Sequence, residues 1–245
     1  MEELHSSEQR SFAYLDENLA RVRAEMHAAE EQSGRPRGQT LLLAAVKSAD
    51  TEEINYLTQT LGVRDIGENR VQQLLSRYDA LDKTGVRIHF IGSLQKNKVK
   101  YIIDKVASIH SVDTLSLAEE IDKRARAIGR RIDVFVEINS GREENKGGVL
   151  PEDAPAFCAS LSHFENLHLV GLMTMAPRCS DPAEYRSYFA STRTLAEEIF
   201  RDVLHRSDAP LLSMGMSESY REAIKEGAHI VRVGRQLFLH PTEET

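Results

Sequence analysis

Residues 41–47 read LLLAAVK, six apolar residues followed directly by a lysine. An apolar run of this length predicts a buried β-strand. Seven further apolar runs occur along the chain, separated by segments with helical periodicity. The eight predicted strands cover residues 41–46, 63–66, 86–91, 106–110, 132–138, 167–173, 210–214 and 229–233.

Helical patterns fall between these strands, near residues 50–60, 69–80, 95–103, 114–128, 151–162, 182–203 and 217–226. Strands that alternate with helices predict parallel βαβ units. Residues 134–136, VFV, are wholly apolar, as is typical of a strand whose two faces are both covered. Because eight strands can close a barrel, we predict an α/β fold, a single (β/α)8 TIM barrel. A doubly wound open sheet is the alternative.

A further helix is predicted before the first strand, over residues 8–33, because apolar residues recur there at spacings of three and four. The segment SGRPRG at 33–38 ends it. No linker or repeat is visible, so we expect one domain over residues 1–245. Residues 1–38 then form an N-terminal helix and linker that pack on the barrel.

Composition and charge exclude several classes of protein. Lys and Arg total 31 against 38 Asp and Glu, a formal charge of -7, which argues against nucleic acid as a partner. The two cysteines, Cys158 and Cys179, are too few for a disulfide framework or a cysteine-based zinc site. The N-terminus lacks a secretory pattern, and no apolar run approaches the ~20 residues that span a bilayer. We therefore expect a cytoplasmic protein that does not associate with membranes.

Polar residues and glycines collect where the predicted strands end, the place where TIM barrels carry their chemistry. Lys47 is the most informative of them, because a lysine at a barrel mouth is expected to be partly desolvated, which lowers its pKa. A neutral amine can attack an aldehyde and form a Schiff base. The competing interpretation is a lysine that extends from a strand end into solvent.

Two further parts of the sequence can each be interpreted in two ways, as a binding site or as a structural feature. Residues 215–219, GMSES, resemble a helix N-terminus able to bind an anion, although Ser219 and Glu222 alone would fit a capping box. Arg232 alternates with two valines and faces either the barrel or the helices. It could serve a ligand or form an ion pair with Glu137.

Other motifs are missing from the sequence. Residues 141–148 lack the spacing of a nucleotide P-loop and are better interpreted as a flexible polar loop. The nine histidines show no metal-ligand spacing, and no GxSxG motif is present, so neither a metal site nor a serine hydrolase is supported.

Taken together, the strand-end segments resemble the pyridoxal phosphate homeostasis protein family, whose barrel is like the N-terminal domain of alanine racemase. The matching segments follow the family's order and are LLAAVK (42–47), IGENRVQ (66–72), HFIGSLQKNK (89–98), VEIN (136–139), GLMTM (171–175), LSMGMS (212–217) and VRVG (231–234).

The resemblance implies pyridoxal phosphate held as an internal aldimine, covalently on Lys47. It implies the phosphate near Ser217 and the backbone at Gly234 and Arg235. Arg232 would face the pyridine nitrogen, and the remaining cofactor-binding residues would be Asn69, His89 and Met173.

Three positions depart from the usual pattern of the family. Val46 stands where serine is usual, Asp50 stands near a usual proline, and Arg235 replaces a threonine that commonly holds the phosphate. An arginine could pair with the phosphate or crowd it.

The resemblance implies a cofactor carrier or homeostasis factor rather than an enzyme, with pyridoxal phosphate and apo-enzymes that depend on it as partners. The alternative is an amino acid racemase or related enzyme. Such racemases use a second domain that supplies a base, and we expect that domain to be absent and the protein to be a monomer. His89 is the obvious local candidate for a second base, unless it is a packed core residue.

Overall fold

The computed structural model describes residues 10–240, and eight parallel strands form a closed barrel in them. Each strand pairs with its neighbours in the chain, and the last pairs with the first, Leu41 opposite Ile230. The predicted TIM barrel is therefore confirmed, and the open sheet is excluded. The strands are β1 (Leu41–Ala45), β2 (Asp65–Glu68), β3 (Arg87–Phe90), β4 (Ser108–Val112), β5 (Ile132–Ile138), β6 (Leu167–Thr174), β7 (Leu211–Met214) and β8 (Ile230–Val233).

Helices surround the barrel in the predicted order. They are α1 (Ala13–Gln32), α2 (Thr51–Asn55), α3 (Val71–Arg77), α4 (Leu115–Ala127), α5 (Ala154–Leu161), α6 (Pro182–Glu198) and α7 (Tyr220–Lys225). A 3₁₀ helix at Lys96–Tyr101 follows β3, and π-helical turns at Tyr56–Thr60 and Ile199–Val203 extend α2 and α6.

Several boundaries differ from the predicted ones for identifiable reasons. The second strand begins at Asp65 because the N–H of Val63 bonds instead to Leu57 O, 3.1 Å away, and closes the preceding helical turn. The segment after β3 is a short 3₁₀ helix because Val99 is its only buried side chain, so it lacks an apolar face. Helix α1 begins at Ala13, and residues 8 and 9 of the predicted helix lie outside the described residues.

Helix α1 packs on the barrel between α2 and α7. On one side, Tyr56 donates a hydrogen bond to Asp16, at 2.9 Å. On the other, Asn18 Nδ2 donates to the carbonyl oxygens of Leu237 and Leu239, which follow β8, at 3.0 and 2.9 Å. The helix thus covers the outer face of the barrel at the junction where β8 meets β1.

The barrel has an apolar outer layer and a mixed interior. Alternate residues of each strand point outward to the helices and form most of the core. Inward-facing residues form a small apolar cluster of Leu43, Ala45, Ile91, Phe135, Met173 and Ile230. Buried polar side chains share this interior, among them His89, His110 and Arg232.

Candidate functional site

A cavity of about 460 Å³ opens at the carboxyl ends of the strands, where TIM barrels carry their active sites. Its volume is within the ~300–1,000 Å³ typical of small-molecule sites. Six of the eight predicted site residues line it, namely Lys47, Asn69, Ser217, Arg232, Gly234 and Arg235. His89 and Met173 do not.

Lys47 follows β1 in a short turn held by helix α3. Gln73 Nε2 donates to Lys47 O at 2.8 Å, and Arg77 donates to the carbonyl oxygens of Val46 at 3.1 Å and Ala49 at 2.8 Å. Arg77 is in turn fixed by Glu68, at 2.6 Å, in a pair that is almost fully buried. The backbone on both sides of Lys47 is therefore held in place.

The Lys47 side chain is exposed at the cavity and has no ion pair or hydrogen bond among residues 10–240. The expected desolvation of its amine is therefore wrong: the lysine stands at the open mouth of the barrel. Val46, at the family's usual serine, is fully buried in the outer core. Asp50, near the usual proline, caps α2 in a capping box with Glu53.

Asn69 lines the cavity and carries an unpaired polar atom. Its Oδ1 is buried and has no hydrogen-bond partner in the described part of the chain. A side chain at Gly92 would lie 2.2 Å from Asn69 O, so glycine is required there for the Asn69 backbone to fit. An orphan acceptor at a cavity wall is what a ligand with a hydroxyl group would satisfy.

The loops after β7 and β8 supply backbone N–H groups at the same wall. Among residues 10–240, the N–H groups of Ser217, Glu218 and Arg235 have no hydrogen-bond acceptor, and all three residues line the cavity. The alternative capping box is not formed: Ser219 Oγ accepts a hydrogen bond from Met216 N–H at 3.2 Å, and Glu222 pairs with Lys225. Backbone N–H groups without an acceptor at a cavity suit an anion.

Gly234 is required by a close approach of two strands. A Cβ atom at this position would lie 2.7 Å from Ala45 O, in β1 just before Lys47. Replacement of Gly234 would therefore disturb the lysine as well as any anion near β8.

The Arg235 side chain lies at the exposed rim of the cavity. Its guanidinium is largely exposed and donates a hydrogen bond of 2.7 Å to Glu218 Oε1. Glu218 also lies 3.8 Å from Arg178, in the loop after β6. The arginine that replaces the usual threonine thus forms part of a surface ion-pair cluster at the rim.

Arg232 lies at the floor of the cavity and is 4% exposed. Its side chain points into the barrel, where it donates to Ser213 O at 2.6 Å, Ser213 Oγ at 2.7 Å and Thr174 O at 2.9 Å. The structure shows no ion pair between Arg232 and Glu137 in the part of the chain it describes. Burial lowers the pKa of Arg232 to about 10, although Glu137 opposes the change, so the side chain remains a cation at neutral pH.

His89 and Met173 belong to the barrel interior. His89 Nε2 lies 2.9 Å from Asp65 Oδ1 and His89 Nδ1 lies 2.7 Å from Ser108 Oγ, so both ring nitrogens have protein partners. Met173 is fully buried in the inner apolar cluster, whose members Ala45 and Ile91 also line the cavity. The methionine that lines the cavity itself is Met175.

Sequence reasoning missed several other residues at the cavity, among them Lys146, Met175, Arg178 and Tyr185. Lys146 lies in the segment that was interpreted as a flexible polar loop. The side chain of Asn139 links this loop internally, with hydrogen bonds to the backbone of Glu143 at 3.0 and 3.1 Å. An asparagine directly after β5 was the one sequence signal that the loop is built in this way.

Basic side chains outnumber acidic ones in the lining of the cavity, although the chain as a whole is acidic. Its lining includes the basic side chains of Lys47, Lys146, Arg178, Arg232 and Arg235 and a single acidic one, Glu218. A dianionic phosphate ester is therefore attracted to it. The lone amine, the orphan Asn69 acceptor and the free N–H groups together fit a phosphorylated aldehyde that has a ring hydroxyl.

A second cavity, of about 520 Å³, lies beside the starts of β7 and β8 and includes Arg35 and Arg193. Both arginines are already bound within the protein, Arg35 to the carbonyl oxygens of Ile224 and Ala228 and Arg193 to Glu226. Among the described residues, no cluster of three or more acidic, histidine or cysteine side chains suits a metal ion, and no helix is long and apolar enough to cross a membrane.

Comparison with known proteins agrees with this geometry. Residues 17–241 match the family model "Alanine racemase, N-terminal domain". The pyridoxal phosphate homeostasis protein of Aquifex aeolicus is 42% identical over 222 residues, which cover 91% of this chain and 96% of that protein.

Among solved structures, PipY of Synechococcus elongatus with pyridoxal phosphate bound is 31% identical, with a TM-score of 0.79, and the match covers 91% of this chain and 99% of PipY. Alanine racemase of Clostridium difficile shares the fold at 17% identity, with a TM-score of 0.69, over 94% of this chain and 58% of the racemase.

Proposed function

Because this chain belongs to the pyridoxal phosphate homeostasis protein family, we propose that it holds pyridoxal phosphate covalently on Lys47 and stores or delivers this cofactor inside the cell. The observation that carries the proposal is the unpaired Lys47 amine in a cavity that is lined by more basic than acidic side chains and also contains an orphan acceptor, Asn69. The pyridoxal phosphate bound to PipY, a structural relative over nearly its full length, supports the identity of the ligand.

The bound cofactor supplies an aldehyde, whose carbon condenses with the Lys47 amine as one water molecule leaves. The residues around Lys47 favour this reaction because they hold the lysine in place. Gln73 and Arg77 hold the backbone that presents the amine, which leaves mainly the side-chain torsions free. Binding then orders one side chain rather than a loop, which reduces its entropic cost.

The phosphate is proposed to lie at the loops after β7 and β8. There the N–H groups of Ser217, Glu218 and Arg235 have no acceptor among the described residues, and the Ser217 hydroxyl lies beside them. The positive lining of the cavity adds long-range attraction. The Arg235 side chain contributes to that charge from the rim, since Glu218 holds it there.

The ring nitrogen is proposed to face Arg232. A guanidinium with a pKa of about 10 donates hydrogen bonds at neutral pH and does not give up its proton to a pyridine. The ring nitrogen then stays unprotonated, which weakens the cofactor as an electron sink. Arg232 thus favours tight binding over rapid carbanion chemistry.

The proposal includes the absence of fast racemase or transaminase turnover. Racemisation requires a base on each face of the substrate, within hydrogen-bond reach. His89, the candidate from the sequence, does not line the cavity, and both its ring nitrogens are engaged. Tyr185 lines the cavity, but its hydroxyl is engaged by Cys179 N–H at 3.1 Å.

Two assays test the function. The loaded protein is mixed with an apo-enzyme that depends on pyridoxal phosphate, and recovery of that enzyme's activity measures delivery. The loaded protein is also incubated with L-alanine in deuterated water. We expect delivery and slow or absent α-deuteration. Rapid deuteration of both enantiomers that disappears in Lys47→Ala would refute the carrier function and establish a racemase.

A further inference from the structure

Buried polar side chains form a continuous hydrogen-bonded chain through the barrel interior, from the start of β2 to the floor of the cavity. Its members are each at most 7% exposed. In order they are Asp65, His89, Ser108, His110, Ser213 and Arg232. Such a hydrogen-bonded row of polar side chains is unusual in a barrel interior, which is commonly filled by branched apolar side chains.

Every contact along the chain has hydrogen-bond length. Asp65 to His89 is 2.9 Å, His89 to Ser108 is 2.7 Å, and Ser108 to His110 is 2.8 Å. His110 then lies 3.0 Å from Ser213 Oγ, which lies 2.7 Å from Arg232. Two histidines with four engaged ring nitrogens link the two ends.

The chemistry of the two ends fixes the direction of the terminal hydrogen bonds, and neutral histidines carry the same direction through the chain. A guanidinium only donates and an ionised carboxylate only accepts. Arg232 therefore donates to Ser213 Oγ, whose own proton goes to His110 Nδ1. His110 Nε2–H in turn donates to Ser108.

The same logic continues to the far end. The Ser108 hydroxyl donates to His89 Nδ1, and His89 Nε2–H donates to Asp65. In this arrangement both histidines are neutral, with the proton on Nε2. The opposite tautomers would set the Nε2 lone pair of His89 against the Asp65 carboxylate and leave the Ser213 proton without an acceptor in the chain.

Electrostatics at the two ends agree with this assignment. Burial, together with the nearby positive charge of Arg232, lowers the pKa of His110 well below its usual value, so this ring is neutral. Burial alone would raise the pKa of Asp65, but hydrogen bonds from His89 and Arg87 outweigh it and lower that pKa. Arg87 donates hydrogen bonds to both carboxylate oxygens of Asp65, at 2.7 and 2.9 Å, and so holds this end of the hydrogen-bonded chain in place.

We propose that these side chains form a one-directional hydrogen-bond chain that positions Arg232 and fixes which of its N–H groups face the cavity. Two of the three hydrogen bonds that Arg232 donates go to Ser213, the last link of the chain. The group that Arg232 would then contact is the ring nitrogen of the cofactor, so this part of the inference rests on the proposed function.

The chain can be tested first in protein without cofactor. Long-range ¹H–¹⁵N spectra report the tautomer of each histidine, and His89→Gln and His110→Gln identify the two signals. We expect both rings to carry their proton on Nε2 at pH 7.5. A proton on Nδ1 of either ring, or a charged ring, would overturn the direction of the chain.

The effect on Arg232 is tested with a matched pair of variants. Ser108 and Ser111 are both buried on β4, but Ser111 Oγ has no hydrogen-bond partner in the described part of the chain. Ser108→Ala should weaken pyridoxal phosphate binding about fivefold, the effect of about one hydrogen bond, and shift the visible absorption band of the bound cofactor. Ser111→Ala should change neither.

Equal effects of the two substitutions, or none from Ser108→Ala, would refute the positioning role and reduce the chain to a structural one. The proposed function fails in a different way, since the wild-type protein would then bind no pyridoxal phosphate at all. The histidine spectra still decide the chain in that case, because they need no cofactor.

Discussion

Glu137 provides a quantitative test of the barrel interior through the pH dependence of stability. The side chain is 7% exposed on β5. Burial and the like charge of Asp113 together raise its pKa to about 7, although Arg232 opposes the change. The folded protein therefore keeps a proton that the unfolded chain, with its ordinary pKa near 4.5, releases.

The sign and size of the effect follow from proton linkage. Between pH 4.5 and 7 the folded state binds more protons than the unfolded state, so the free energy of unfolding falls as the pH rises. Each pKa unit corresponds to ~1.36 kcal/mol, so the loss is roughly 3 kcal/mol once Glu137 is ionised. Glu137→Gln removes the titrating group and should abolish this loss.

The assay is urea unfolding of the cofactor-free protein at several values between pH 5 and 8. Glu137→Gln should become more stable than the wild type as the pH rises, with a gap that widens by roughly 2 kcal/mol over this interval. Glu144→Gln, an exposed position in the loop after β5, is the control and should follow the wild type. A gap that stays constant with pH would refute the reasoning.

Three further predictions concern the cavity and the turn that carries Lys47. Arg77→Met should lower the free energy of unfolding by about 3–5 kcal/mol, because it leaves the buried Glu68 without a partner. The added substitution Glu68→Leu should restore part of this loss. No recovery of stability in urea unfolding would contradict the pairing. Arg235→Thr should change pyridoxal phosphate affinity less than about tenfold, because the guanidinium is held by Glu218; a thousandfold loss in a fluorescence titration would make Arg235 the main anchor. Ser217→Ala should weaken pyridoxal phosphate about fivefold but leave pyridoxal, which lacks the phosphate, unchanged, whereas equal losses would place the phosphate elsewhere.

The sequence was sufficient for the fold because the signal for each strand is local. The apolar run before Lys47 and the run at 132–138 can be recognised without knowledge of their neighbours. The motif residues Asn69 and Ser217 were also predictable, because they follow their strands directly and a barrel brings all strand ends to one face.

The remaining features depend on contacts between distant segments. The orientation of Arg232 was left open because alternation gives two faces without saying which one is inside. The partner of Arg235 is Glu218, from a different loop, and no pattern in the sequence joins them. The alternative of an ion pair between Arg232 and Glu137 is not realised, because Arg232 donates to Ser213 and Thr174, whose positions depend on strand register.

The residues of the cavity that were missed have a similar explanation. Met173 and Met175 both lie in one short segment at the end of β6, and only the point where the strand ends decides which one reaches the cavity. Desolvation of Lys47 was inferred from the apolar run before it, but exposure depends on how far the turn extends past the barrel rim.

The central claim is the covalent attachment of pyridoxal phosphate to Lys47. The purified protein, loaded with the cofactor and reduced with borohydride, is digested and its peptides are mapped by mass spectrometry. We predict that the loaded protein is yellow before reduction and carries a pyridoxyl group on Lys47 after it. This group should be lost in Lys47→Arg and retained in Lys146→Arg, the matched change at the other lysine of the cavity. A label on any other lysine of the native protein, or no label at all, would contradict the account.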